Sequence, residues 1–347
     1  MSTNASEEKT TAMTPEEEQK ANLYASADAL VKEIEKVVIG KHHEVVMLVT
    51  ALLSGGHVLI EDVPGVGKTT LAASLAAAAG LKFKRAQFTP DVMASDITGF
   101  NIYNRQTEKF EFREGLVMTN ILLADEINRA SPKTQSSLLE SMEESKVTVD
   151  GMTYPIPDPF FVIATQNPTG FVGTYPLPEA QLDRFSVKIS LGYPLPEEEI
   201  AVLRDRKNAN PLDSVKPAAD TETVLTLKAA AADVHVDTAI YAYIVKLIGV
   251  TRKHPSLALG ASPRASLALT RMAQAYAFMN HRDYVSPEDV NAVFVNTVAH
   301  RVILRQEAKL QRMTAENVLR DILRSTDVPF IGSRAKPGYD PNAADKT

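Results

Sequence analysis

Cysteine is absent from the 347-residue chain, and so is tryptophan. Without thiols there is no disulfide, no thiolate metal site and no cysteine nucleophile. Aromatic residues make up only 6% of the chain, which argues against a platform that stacks bases or sugars. A cationic surplus is also missing. Thirty-seven Lys and Arg face 43 Asp and Glu, a net charge of −6, which speaks against a protein whose task is neutralising nucleic-acid phosphates. No stretch approaches the roughly 18 apolar residues of a transmembrane helix, and the polar Met1–Lys20 lacks the apolar core of a secretory signal. The expectation is a cytoplasmic chain with no membrane insertion.

The composition that remains, 44% apolar and 23% charged, suits a globular protein of about two domains. Residues 1–20 read as a disordered leader and 331–347, broken by Pro337, Gly338 and Pro341, as a disordered tail. Helical spacing runs over Leu23–Val38 and Lys41–Ser54. Then His57–Glu61 reads as a buried strand, Lys68–Ala79 as a helix, and strands follow at Lys82–Ala86, Asn120–Ala124 and Phe160–Thr165, with a helix at Pro132–Glu144. Strand–helix alternation predicts an α/β fold with a mainly parallel sheet over 21–192. Two hairpins interrupt it, at Phe100–Phe112 and Lys146–Ile156. Prolines 194, 196, 211 and 217 mark a linker over 193–220 with one helix near Glu197–Arg206. From 221 to 330 only helical periodicity is present, which predicts a smaller all-α domain.

The strongest motif is Asp62-Val63-Pro64-Gly65-Val66-Gly67-Lys68-Thr69, followed by Thr70. It lies between strand and helix and departs from G-x-x-x-x-G-K-[ST] only in carrying Asp62 for the first Gly. Gly65 and Gly67 let backbone N–H groups turn inward, so the helix N-terminus forms an anion site with Lys68 as its point charge. Thr69 is the expected Mg²⁺ ligand. The apolar run Ile121–Ala124 ends in Asp125-Glu126. Beside a phosphate loop, Asp125 is placed to hold Mg²⁺ and Glu126 to activate the attacking water; without one, the pair could be a helix cap.

Together LIEDVPGVGKTTLA, LLADEINRASPKTQSSLLESMEE, IATQNP and YPLPEAQLDRF resemble the MoxR branch of the AAA+ ATPases, over about residues 23–325. Asp62 in the first Gly position is usual for that branch. The resemblance implies an AAA+ P-loop core with a helical lid, and ATP and Mg²⁺ as substrate and cofactor. Asn167 would be sensor 1, and Arg184 in Leu182-Asp183-Arg184-Phe185 the arginine finger that enters a neighbouring subunit's site. Arg264 would be sensor 2, reaching back to the phosphates, and Ile39-Gly40 would lie in the segment on the adenine ring.

His43-Glu44-Val45-Val46-Met47 lacks the second His of a zinc-protease helix. Arg301, Arg305, Lys309 and Arg312 read as a basic stripe on a solvated helix face. The implied function is a homo-hexameric ATPase with chaperone-like action on partner proteins, those with von Willebrand factor A domains in this family. Its hydrolysis would be transmitted through lid rotation and the inserted hairpins. An ATPase subunit of a magnesium-chelatase-like complex and a nucleotide-gated scaffold are the alternatives, although a scaffold has no need of Glu126.

Overall fold

The computed structural model describes residues 14–167, 174–205 and 211–329. Most of the expected leader, and the expected tail, lie outside them. The chain begins with α1 (Pro15–Glu35), six residues ahead of the expected domain start. Pro15, Glu17 and Glu18 of its first turn are exposed, so burial periodicity could not reveal it. The cap does: Thr14 Oγ1 accepts from Glu17 N (3.3 Å), Glu17 Oε2 accepts from Thr14 N (2.8 Å), and Pro15 occupies the first helical position. The leader reading therefore fails for residues 15–20.

Next come α2 (His42–Leu53), β1 (Val58–Glu61), α3 (Lys68–Ala78), β2 (Phe83–Gln87) and the one-turn α4 (Ala94–Thr98). The first hairpin is β3 (Gly99–Asn104) with β4 (Lys109–Glu114). After β5 (Ile121–Asp125) and α5 (Pro132–Glu144) comes the second, β6 (Lys146–Val149) with β7 (Met152–Pro155). Then β8 (Phe161–Gln166), α6 (Glu179–Leu182), β9 (Val187–Ile189) and α7 (Pro196–Asp205) complete the first part of the chain. Five strands form one parallel sheet in the order β2-β5-β8-β1-β9. Every residue of β5 is buried, as a central strand covered on both faces requires. At the edge, β2 carries Lys84 and Arg85, charges that blunt an open strand.

The remaining elements are α8 (Thr221–Ala232), α9 (Thr238–Lys253), β10 (Leu257–Leu259), α10 (Pro263–Met279) and α11 (Pro287–Val298). A 3-10 turn (Ala299–Arg301), β11 (Ile303–Leu304), α12 (Gln306–Leu310) and α13 (Ala315–Ser325) follow. This part is not purely helical as expected: β10 and β11 pair antiparallel. Strands of three and two residues are too short to leave a period in the sequence. The expected basic stripe is corrected too. Helix α11 stops at Val298, Arg301 is buried in the following turn, and Arg312 has a left-handed φ of 58° beyond α12. The four cations share no helix face.

One apolar cluster runs through both parts, from Leu30 of α1 and Leu48 of α2 through Ile60 and Ile163 of the sheet to Leu269 of α10 and Val293 of α11. Two histidines are buried beside it. His57 Nε2 donates to Met142 O (3.2 Å) and its Nδ1 accepts from Val162 N (3.1 Å). Burial pushes His57 down to about 4 from an ordinary 6.5, and pushes His300 well below its ordinary value. The unfolded chain then takes up protons below pH 6.5 that the folded chain refuses. Stability is complete above pH 6.5 and falls as pH drops toward 4, by about 3 kcal/mol for His57 alone. Urea unfolding over pH 4–7 checks this. His57→Gln should show a shallower loss than wild type; equal slopes would remove His57 as the cause.

Candidate active site

Parallel strands bring their C-terminal ends to one edge, and the site is built there. β1 runs into the phosphate loop, where Gly65 (φ 89°) and Gly67 (φ 93°) take left-handed backbone that a side chain would oppose. Gly67 caps α3, so Lys68 and Thr69 open the helix. Lys68 is buried, and its Nζ donates to Asp62 O (2.8 Å) and Val63 O (3.3 Å). Burial lowers its pKa, opposed by the charges of Asp62, Asp125 and Glu126.

Asp62 is absent from the positive-φ residues, so its position does not call for glycine. Its carboxylate is a tether. Oδ1 accepts from Val63 N (2.8 Å), while Oδ2 accepts from Ser190 Oγ (3.0 Å) and Gly192 N (2.7 Å), just past β9. The phosphate loop is thereby fastened to the segment that carries Leu191 and Pro194, which line the neighbouring apolar cavity.

Asp125 and Glu126 are wired through Thr165 of β8. The Thr165 hydroxyl donates to Asp125 Oδ1 (2.6 Å) and accepts from Glu126 N (2.8 Å). Arg85 of β2 donates to Asp125 Oδ2 (2.8 Å). Glu126 itself sits in left-handed backbone (φ 57°, ψ 49°), a conformation that costs a non-glycine residue about 1–3 kcal/mol. Its Oε1 accepts from Asn167 Nδ2 (3.2 Å) and its Oε2 from Arg129 Nη1 (3.0 Å).

A cavity of about 340 Å³ joins these groups: Pro64, Gly65, Gly67, Lys68, Thr69 and Thr70 on one side, Asp125, Glu126 and Asn167 on the other. Gly65, Gly67 and Thr70 also border a second, more apolar cavity of about 150 Å³, lined by Ile39, Val66 and Leu191. Gly40 does not line it; it turns with φ 73° next to the Glu198 carboxylate. The Thr69 hydroxyl and Asp125 carboxylate are hard oxygen donors facing one phosphate-sized space. Among the described residues no cluster of three or more acids or histidines could hold a metal alone. That pattern fits Mg²⁺, which keeps waters and shares phosphate oxygens instead of occupying an all-protein cage.

Arg184 and Arg264 are not in this cavity. Arg184 Nη1 donates to Leu139 O (2.5 Å) and its Nη2 pairs with Glu143 Oε2 (3.2 Å); Arg264 Nη2 pairs with Glu143 Oε1 (2.7 Å). They line a separate cleft with Asp183, Arg271 and Arg301. Arg264 therefore does not reach back to the phosphate loop of its own chain as expected. α10 packs on α2, α8, α9 and α11, which leaves its first turn against the end of α5.

The sequence reading missed Arg85, Arg129, Thr165, Glu143 and Arg301. Only Arg129, three residues beyond Glu126, had a local signal; the others meet their partners across 39 to 121 residues.

Residues 57–187 match the ATPase family associated with various cellular activities (AAA), and residues 249–322 match the AAA lid domain. Chaperone MoxR1 of Mycobacterium tuberculosis is 41% identical over 316 residues, covering 88% of this chain and 83% of that protein. The chain belongs to the MoxR family of AAA+ ATPases. The uncharacterized protein YeaC of Bacillus subtilis is 50% identical over 306 residues, 88% of this chain and 96% of that one. The crystal structure of a candidate ATPase from Cytophaga hutchinsonii superposes with a TM-score of 0.84 at 39% identity, covering 91% of this chain and 98% of that one. As an AAA+ ATPase of the MoxR family, the chain binds nucleotide and is an ATP hydrolase. No helix among the described residues is long and apolar enough to cross a membrane.

In this MoxR-family site the Asp62 tether is open to a direct test. Asp62→Gly restores the common phosphate-loop pattern yet removes three hydrogen bonds to a charged acceptor, two of them from the far side of the tether, Ser190 and Gly192. Equilibrium unfolding should show a loss of at least about 3 kcal/mol, from about 1.5–3 kcal/mol for each of the two bonds that cross the tether, with weaker ATP binding. Unchanged values for both would mean that the tether holds nothing.

Proposed function

We propose that this ATPase works as a cytoplasmic ring, a homo-hexamer in the family pattern, in which each nucleotide is shared between two subunits. The observation that carries the reading is the separation of cations. Lys68, Thr69, Asp125, Glu126 and Asn167 line one cavity, while Arg184 and Arg264 sit together in another. A chain that hydrolyses ATP with its own Lys68 and Glu126 keeps two further arginines outside its own phosphate cavity, which supports their use by a neighbour.

The first subunit binds the polyphosphate through the loop amides and Lys68. Thr69 and Asp125 would hold Mg²⁺, which supplies charge neutralisation on the phosphate oxygens. Asn167 and Arg129 fix the Glu126 carboxylate, which takes a proton from the attacking water. The water oxygen bonds to the γ-phosphorus, and the bond to the β–γ bridging oxygen breaks, leaving ADP and phosphate. Arg184 and Arg264 of the adjoining copy would meet the charge that spreads over the γ-phosphoryl group. Their pairs with Glu143 are 27–55% exposed, and surface pairs of that kind are worth about 0–1 kcal/mol, so breaking these pairs is cheap, although Arg184 must also give up Leu139 O.

The relative called Chaperone MoxR1 supports protein remodelling as the use of this turnover, and the family resemblance points to von Willebrand factor A domain proteins as clients. The hairpins are the surface suited to a client. They are joined by Asn101 Nδ2 donating to Asp150 Oδ2 (2.8 Å) and by the Phe112–Tyr154 stack (3.9 Å), and they expose Phe110, Tyr103 and Met152.

Steady-state ATP turnover against protein concentration tests the shared site. Wild-type activity per subunit should rise steeply with concentration. Arg184→Ala should lose about 10³–10⁵-fold and Glu126→Gln about 10²–10⁴-fold. Flat specific activity, indifferent to Arg184, would end the reading.

A further inference from the structure

The loop that presents Arg184 is held from both sides by the helical domain. Arg301, with only 3% of its side chain exposed, donates from Nη1 to Asp183 Oδ1 (2.9 Å) and from Nη2 to Phe185 O (2.6 Å). His300 Nε2 donates to the same Phe185 carbonyl (2.8 Å). The residues on either side of Arg184 are thus gripped by one turn after α11.

The other oxygen of Asp183 bonds the cap of α10. Asp183 Oδ2 accepts from Ser262 Oγ (2.8 Å), and Ser262 Oγ caps α10 by accepting from Arg264 N (3.1 Å). The approach to that cap is itself fixed. Ala261 N donates to Thr251 Oγ1 (3.0 Å), Arg252 Nε donates to Ala261 O (2.9 Å), and a Cβ on Gly260 would lie 2.5 Å from the Arg252 backbone. A single carboxylate therefore links the loop of Arg184 to the first turn of Arg264, and a buried guanidinium holds that carboxylate in place. Buried ion pairs contribute little net stability because desolvation offsets their attraction, so packing alone does not explain a charge at residue 301.

We propose that Arg301, acting through Asp183, is a positioning residue: it sets Arg184 and Arg264 as one rigid two-pronged unit presented to the adjoining subunit's γ-phosphate. This rests on the shared-site reading above. Arg301 touches no nucleotide. Its loss should leave a subunit's own phosphate loop intact and spoil only what that subunit lends to its neighbour.

Complementation separates these effects. Arg301→Gln alone should lose at least tenfold in kcat while its KM for ATP stays within about twofold. Mixed at equal concentration with Lys68→Ala, whose own site cannot hold phosphate but whose arginines are intact, it should regain several-fold more turnover than the two proteins measured apart. A general folding defect would not be cured by such a partner. Arg184→Ala mixed with Lys68→Ala is the control. No recovery there overturns sharing itself. Recovery in the control but not with Arg301→Gln overturns the positioning role and leaves sharing intact, as does wild-type kcat for Arg301→Gln alone. If Arg301→Gln does not unfold cooperatively, Arg301→Lys, which keeps the buried cation but cannot span both acceptors, replaces it with the same two readings.

Discussion

Parallel pairing of β1 with β8 and of β8 with β5 is the constraint on which the rest depends. It forces the exits of three buried strands onto one edge. There the backbone of the phosphate loop, the Asp125-Glu126 pair and Asn167 come together without any of them being adjacent in sequence. Thr165 shows how close the tolerance is. One hydroxyl, placed by the β5–β8 register, satisfies both a carboxylate and the strained amide next to it. Shifting that register by a single residue would turn Thr165 to the other face of the sheet.

The parts of this machinery that live in the backbone were legible in the sequence. A glycine-rich turn between an apolar strand and a helix has few alternatives, and helix α5 was readable to its end residues because Ser131 caps it and Pro132 opens it. Groups that act across the fold were not. Arg301 looked like one more exposed cation because nothing local says that α11 stops at Val298 and turns inward. Arg264 was expected to reach the phosphates, but sequence order carries no information on which way the first turn of α10 points, and in the structure it points to Glu143. The Asp62 departure from the glycine pattern became intelligible only with Ser190 and Gly192 beside it.

Charge placement follows one logic throughout. Each carboxylate at work accepts from more than one partner: Asp62 from Val63, Ser190 and Gly192, Asp125 from Thr165 and Arg85, Glu126 from Asn167 and Arg129, Asp183 from Arg301 and Ser262. Acids of this kind act as junctions. They fix relative positions of elements that apolar packing alone would let slide by an ångström, and misplacement on that scale near a reacting phosphate is expensive in rate.

The apolar cluster that passes without a break from α2 and the sheet into α10 and α11 has a mechanical corollary. Swinging the helical part away from the sheet would wet residues such as Leu48, Leu269 and Val293, at roughly 1.5–3 kcal/mol for each large side chain exposed. The cleft proposed to face a neighbouring copy carries Arg184, Arg264 and Glu143, each at least partly exposed, and pairs of that kind exchange with water at little cost. On the shared-site proposal each protomer would then move as a stiff tooth on a gear, and the stroke that follows hydrolysis would fall at the seams between teeth.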